Sequence, residues 1–164
     1  MSKPTRILFV CLGNIIRSPL AAALFERAAQ EAGLGAEYEA DSAGTANYHV
    51  GEAPDSRMLR TAARRGFEYT NRARQLKPND LDSFDLIIPM DLENKEDIEA
   101  IASKQKQRAK IRLLREFDPQ ANGAVAVPDP WYGGPSGFED VYEIIERSVG
   151  GLLESLKPGR VTQQ

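Results

Sequence analysis

The chain is 164 residues long, enough for one domain that buries a core without disulfide or metal staples, and its formal net charge of −3 gives nucleic-acid binding no electrostatic support. A single cysteine, Cys11, excludes an intramolecular disulfide and fits a reducing compartment, so a soluble, unprocessed, cytoplasmic protein is expected. No apolar run reaches transmembrane length and no repeat is visible, which leaves one domain over residues 1–164, with 158–164 as a loose tail.

The first predicted element is a strand at Ile7 to Val10, a short apolar run suited to burial on both faces of a parallel sheet. It stops at Cys11. Between Leu12 and Ile16 lie Gly13 and Asn14, residue types that take positive φ and let successive backbone N–H groups converge on an anion. Ser18 before Pro19 reads as an N-cap with proline at the first helical position, so the loop should end at a helix N-terminus, with Arg17 adding a full positive charge. A thiol in that setting should ionise more easily than a free one, whose pKa is about 8.5. A buried structural cysteine beside a turn is the alternative.

Helix one is LAAALFERAAQEAG, stopped by Gly33. Tyr38 to Ala40 reads as a second strand running into Asp41-Ser42-Ala43-Gly44-Thr45, where Ser42 is either part of a site at the strand's C-terminal edge or an ordinary turn serine. His49, the only histidine, reads as structural or surface, and one histidine with one cysteine makes no zinc site. Asp55 caps a helix from Ser56 to Arg65 that Gly66 ends. Phe84 to Pro89 is the third strand. Asp91 after it either orients Arg17 or caps the helix Leu92 to Ser103, and both roles are compatible.

The basic run KQKQRAKIR, Lys104 to Arg112, reads as a solvated connection into a fourth strand, Ile111 to Leu114. Then comes VPDPWYGG, whose prolines restrict a loop carrying Asp129, Trp131 and Tyr132. That loop either positions an acid beside two ring walls or is a turn pinned by core aromatics. Phe138, Val141, Ile145, Val149, Leu152 and Leu156 make a helical stripe over Phe138 to Lys157, weakened by Gly150 and Gly151. Four strands alternating with helices predict an open parallel α/β sheet whose strand order the spacing does not show.

Together, VCLGNIIRSP, DSAGT, MD after the third strand and DPWYG closely resemble the low-molecular-weight protein tyrosine phosphatases, in order, spacing and total length. The resemblance implies a single-domain, four-stranded parallel sheet in order 2-1-3-4 with helices on both faces and the catalytic loop at the switch point. It makes Cys11 the nucleophile, Arg17 the phosphate clamp and Asp129 the general acid and base. Leu12, Gly13, Asn14, Ile15, Ile16 and Ser18 become the phosphate-binding loop, with Ser18 on the sulfur, Ser42 and Asn71 supporting the loop and Asp91 holding Arg17. Trp131 and Tyr132 become walls for the substrate ring. The implied reaction is hydrolysis of phosphotyrosine in proteins, and of aryl phosphates, through a phosphocysteine. No metal or cofactor is implied, and the partners are a tyrosine-phosphorylated protein or peptide and a phosphate-like oxyanion, with the enzyme a monomer or weakly self-associating.

Two positions depart from the family pattern. Ile16 stands where many members carry a second cysteine beside the arginine, so the protective intraloop disulfide cannot form, and Asn71 stands in the stretch that often carries histidine. Three other functions are weighed. A thioredoxin-coupled arsenate reductase needs further cysteines. A phosphatase for phosphoarginine or small esters is less favoured by the aromatic pair, and a non-catalytic phosphate-binding module would lack one of the three reactive residues.

Overall fold

β1 (Thr5–Cys11) is the central strand of a parallel sheet, flanked by β2 (Tyr38–Gly44) and β3 (Leu86–Pro89) in the order β2-β1-β3. The computed structural model describes residues 3–131, 133 and 135–157, with the side chains of 135 and 136 left aside. Among these, the helices in chain order are α1 (Arg17–Glu31), α2 (Ser56–Arg64), α3 (Asp80–Ser83), α4 (Leu92–Ile101), α5 (Gln105–Arg108) and α6 (Pro135–Leu156), with a 3-10 turn at Leu114–Phe117.

The unbroken apolar run of β1 follows from its burial on both faces. Ile7, Phe9 and Cys11 enter one core with Leu20, Leu24 and Phe25 of α1 and Phe138, Val141 and Ile145 of α6. Leu8 and Val10 alternate into a second core with Leu81, Phe84, Ile98 and Ile111. The stripe on α6 is therefore core packing, and Gly151 has its own reason: a Cβ there would collide with the carbonyl oxygen of Phe117, so the 3-10 turn lies directly on the helix backbone.

Among the described residues the sheet has three strands and not the expected four. Ile111 meets β3 through one parallel bridge to Ile87, in which Ile87 N–H donates to the Lys110 carbonyl and Arg112 N–H to the Ile87 carbonyl, both at 3.0 Å. The next donor on that side of β3 would belong to Pro89, which has no N–H. On the facing segment the next donor would be Leu114, which already lies in the 3-10 turn Leu114–Phe117. The ladder ends there.

Other boundaries differ by a few residues. α1 begins at Arg17 with Ile16 before it, so Ser18 lies inside the first turn and is not the N-cap. β2 extends to Gly44, and the basic run folds in part into α5. Asp55 caps α2 and Asp91 caps α4, by accepting from Arg57 N–H and Asn94 N–H. Because the order reverses around β1, the chain leaving Cys11 sits at the topological switch point of the sheet.

Candidate active site

The loop between β1 and α1 is held by its carbonyl groups. Cys11 C=O accepts from Thr45 N–H at 2.9 Å, Leu12 C=O from Ala46 N–H at 3.0 Å and Ile15 C=O from Asp55 N–H at 2.8 Å. In a trans peptide the next N–H points opposite to the carbonyl. The N–H groups of Leu12, Gly13 and Ile16 therefore face away from those anchors, and the same residues line a pocket of about 230 Å³ with Cys11, Ile15, Arg17 and Asp129. Gly44 lets β2 come this close, since a Cβ there would lie 2.7 Å from the Leu12 oxygen.

Asn14 fixes the loop from inside. It is buried with φ 59°, in the left-handed region that asparagine tolerates better than most residues. Its Oδ1 accepts from Arg74 N–H at 2.9 Å, which orients the amide so that Nδ2 donates to Ser18 Oγ at 2.8 Å and Ser42 Oγ at 2.9 Å. Ser18 Oγ accepts from Asn14, so its own proton is free to donate, and Cys11 Sγ at 3.0 Å is nearer than the Ala43 carbonyl at 3.5 Å. The hydroxyl is thus within hydrogen-bond reach of the sulfur, and either atom can donate. Asn71 Nδ2 lies 3.4 Å from both Oδ1 and the carbonyl of Asn14.

Arg17, 3% exposed, is anchored along one edge. Its Nη1 donates to Asp91 Oδ2 and to the Val127 carbonyl, both at 2.8 Å, while Asp91 Oδ1 caps α4, so Asp91 touches both Arg17 and the start of that helix. Nη2 lies 3.6 Å from Asp129 Oδ2. The segment carrying Asp129 is set over the end of β3 by Val127 N–H donating to Met90 C=O at 2.8 Å. Asp129 Oδ1 accepts from Trp131 N–H at 3.0 Å.

Trp131 forms one wall of the pocket, whereas Tyr132 lies outside the described residues. Sequence reasoning missed two further lining residues, Tyr48 and His49. His49 sets its ring 5.7 Å from that of Trp131 and bonds Glu52 Oε1 through Nδ1 at 3.0 Å. A Cβ on Gly13 would lie 2.9 Å from His49 Cδ2, so a contact signal did exist in the glycine, but only the fold reveals its partner. Arg57 packs against the ring of Trp131 and is held by Asp55. Burial pushes the Asp55 carboxyl up, yet hydrogen bonds from the Arg57 side chain and N–H outweigh it and hold the group below the usual carboxylate range. Among the described residues, no group of three or more His, Cys, Asp or Glu is arranged to hold a metal ion.

The family model for low molecular weight phosphotyrosine protein phosphatase matches residues 6–161. A low molecular weight protein-tyrosine-phosphatase of Streptomyces coelicolor is 41% identical, covering 93% of this chain and 93% of that one. The low molecular weight phosphotyrosine protein phosphatase of Homo sapiens is 38% identical over 90% of this chain and 93% of its own. A crystal structure of a protein tyrosine phosphatase from Entamoeba histolytica, with Hepes in its active site, superposes with a TM-score of 0.90 at 36% identity, covering 96% of this chain and 99% of that one.

Proposed function

The chain belongs to the low molecular weight phosphotyrosine protein phosphatase family and is a protein tyrosine phosphatase, and we propose that Cys11 is its nucleophile, Arg17 its phosphate clamp and Asp129 its general acid and base, in one catalytic domain spanning residues 1–164. The observation that carries this assignment is the opposed orientation of the loop. Three carbonyls are pinned outward, and the corresponding N–H groups lie on the side of the pocket where the sulfur and the guanidinium also stand.

Chemistry follows from that arrangement. A phosphate monoester dianion is held by the N–H groups of Leu12, Gly13 and Ile16 and by the unanchored edge of Arg17. Cys11 Sγ attacks phosphorus in line, the S–P bond forms, and the P–O bond to the phenol breaks. The departing phenolate, whose conjugate acid has a pKa of about 10, takes a proton from Asp129. The resulting Asp129 carboxylate then accepts a proton from water, which attacks phosphorus and returns phosphate and the Cys11 thiolate. Ser18 donates to the sulfur at both ends of the cycle, and Trp131 offers a flat face to the aromatic ring. Tyrosine-phosphorylated proteins are the proposed substrates, and the cytoplasm, which keeps Cys11 reduced, is the proposed setting.

Hydrolysis of a phosphotyrosine peptide, a phosphoarginine peptide and phenyl phosphate by the wild type and two variants tests the assignment. Cys11→Ser is expected to abolish turnover, and Asp129→Ala to lose about 100-fold on phenyl phosphate. Wild-type turnover by Cys11→Ser would remove the nucleophile, and faster cleavage of phosphoarginine than of phosphotyrosine would change the substrate class.

A further inference from the structure

Trp131 is the element through which the acid loop is tied back to the phosphate loop. Asp55 N–H donates to the Ile15 carbonyl at 2.8 Å, so the start of α2 is fastened to the loop that faces the substrate. The Asp55 carboxylate then grips Arg57, Oδ1 accepting from Nε at 3.1 Å and Oδ2 from Nη2 at 2.9 Å. The remaining terminal nitrogen, Nη1, donates to the Trp131 carbonyl at 2.9 Å, and the guanidinium carbon stands 5.0 Å from the centre of the indole. On its N–H side Trp131 donates to Asp129. Both backbone groups of one residue are thus engaged, one by Arg57 and the other by the acid.

We propose that Arg57 is a positioning residue for the reaction, holding Trp131 so that Asp129 stands over the site at the height of the leaving group. This rests on the assignment of Asp129 as the acid. The guanidinium suits the task because its planar fork meets a carboxylate on one edge and a carbonyl on the other while its face lies on an aromatic ring, which a lysine cannot do at once. The hydrogen bonds to Asp55 chiefly, with the charges of Asp55 and then Asp129 behind them, hold the Arg57 guanidinium above its usual range. Arg57 touches no reacting atom. Its effect is on the proton delivered by Asp129, and therefore depends on how much the leaving group needs that proton.

The test compares 2,4-dinitrophenyl phosphate, whose leaving group needs little protonation, with phenyl phosphate, whose leaving group needs much. It uses wild type, Arg57→Ala, Arg57→Lys, Asp129→Ala and the double variant Arg57→Ala with Asp129→Ala. Arg57→Ala is expected to lower kcat about 10-fold on phenyl phosphate and less than about 2-fold on the dinitrophenyl ester, with Arg57→Lys in between. The double variant should be no slower than Asp129→Ala alone. Trp131 is the chain's only tryptophan, so its emission reads the loop directly, and Arg57→Ala should make it more accessible to acrylamide. Equal losses on both esters in Arg57→Ala, or losses that multiply in the double variant, would overturn the role of Arg57 provided that Asp129→Ala itself discriminates between the esters. If Asp129→Ala treats the two esters alike, the acid assignment fails and the role of Arg57 falls with it. Should Arg57→Ala fail to fold, Arg57→Lys carries the same comparison, and wild-type behaviour there in both rate and quenching counts against the proposal.

Discussion

Asn14 commits its whole side chain to neighbours, accepting from Arg74 N–H and donating to Ser18 and Ser42. Asn14→Ala would orphan those groups in a buried place and put an alanine at φ 59°. The expected loss is about 2–4 kcal/mol, read from urea unfolding, with kcat falling as the loop loses the bonds that hold Ser18 beside Cys11. Ser18→Ala removes the contact to Cys11 and one of the two acceptors of Asn14 Nδ2, which keeps Ser42, so it should lower kcat about 10-fold at a smaller cost in stability than Asn14→Ala. A destabilisation as large as that of Asn14→Ala would make Ser18 structural instead. Ser18 also shows where residue-by-residue reading fails. Ser-Pro is a good N-cap signal in isolation, but here the hydroxyl is used in tertiary hydrogen bonds, and the helix starts two residues earlier, at Arg17 and not Pro19. His49 failed differently. A single polar residue in a loop has no periodicity to place it, and its position in the pocket wall depends on Gly13 and Trp131, far away in the chain.

At the scale of elements, the 3-10 turn at Leu114–Phe117 is bound to α6 by one buried carboxylate. Asp118 bonds Arg115 Nε at 2.8 Å, Arg147 Nε at 3.1 Å and Gln120 N–H at 2.8 Å. Burial alone would raise this carboxyl, but the bonds from Arg147, Gln120 N–H and Arg115 outweigh it and hold its pKa below the ordinary value of 3.8. The sign follows from linkage: the unfolded chain binds the proton more readily, so the group stabilises the fold above the unfolded pKa and loses that effect as pH falls through the folded one. Urea midpoints measured from pH 7 downward should drop below about pH 4, and Asp118→Asn should flatten that part of the curve while costing about 2 kcal/mol at neutral pH. A second variant tests the same contact from the other side. Gly151→Ala would drive a methyl into the Phe117 carbonyl and should lower Tm by several degrees, whereas Gly150→Ala, with open space around its Cβ, should leave Tm unchanged or raise it. The glycine pair was legible as a weak point in the stripe, but which of the two carries the constraint depends on the turn lying against it.

Across the whole molecule, the parts legible in the sequence were those fixed by local chemistry: the apolar run of β1, the Gly-Asn loop, the helix caps at Asp55 and Asp91, and the prolines around Asp129. The missing fourth strand was not, because Ile111 to Leu114 has a strand's composition and it is Pro89 opposite and the 3-10 turn from Leu114 that stop it from pairing. Cys11 is the chain's sole sulfhydryl, with Ile16 where a resolving thiol would stand. Peroxide treatment should therefore carry Cys11 past the sulfenic stage with little recovery on later addition of thiol, and activity assays should show less rescue than in a two-cysteine relative. Full recovery at high peroxide would contradict this. The single bridges that close the sheet have a further consequence. An open sheet presents its rim as a template on which another chain can add a strand. Here the Ile87 donor is occupied by Lys110 and Pro89 has none to give, while on the opposite rim Gly44 donates to Arg74 and Ser42 to the Asp41 side chain. The ends of both rims beside the catalytic pocket are thus closed to strand addition, and crowding at high concentration should leave the pocket's mouth free of edge-to-edge stacking.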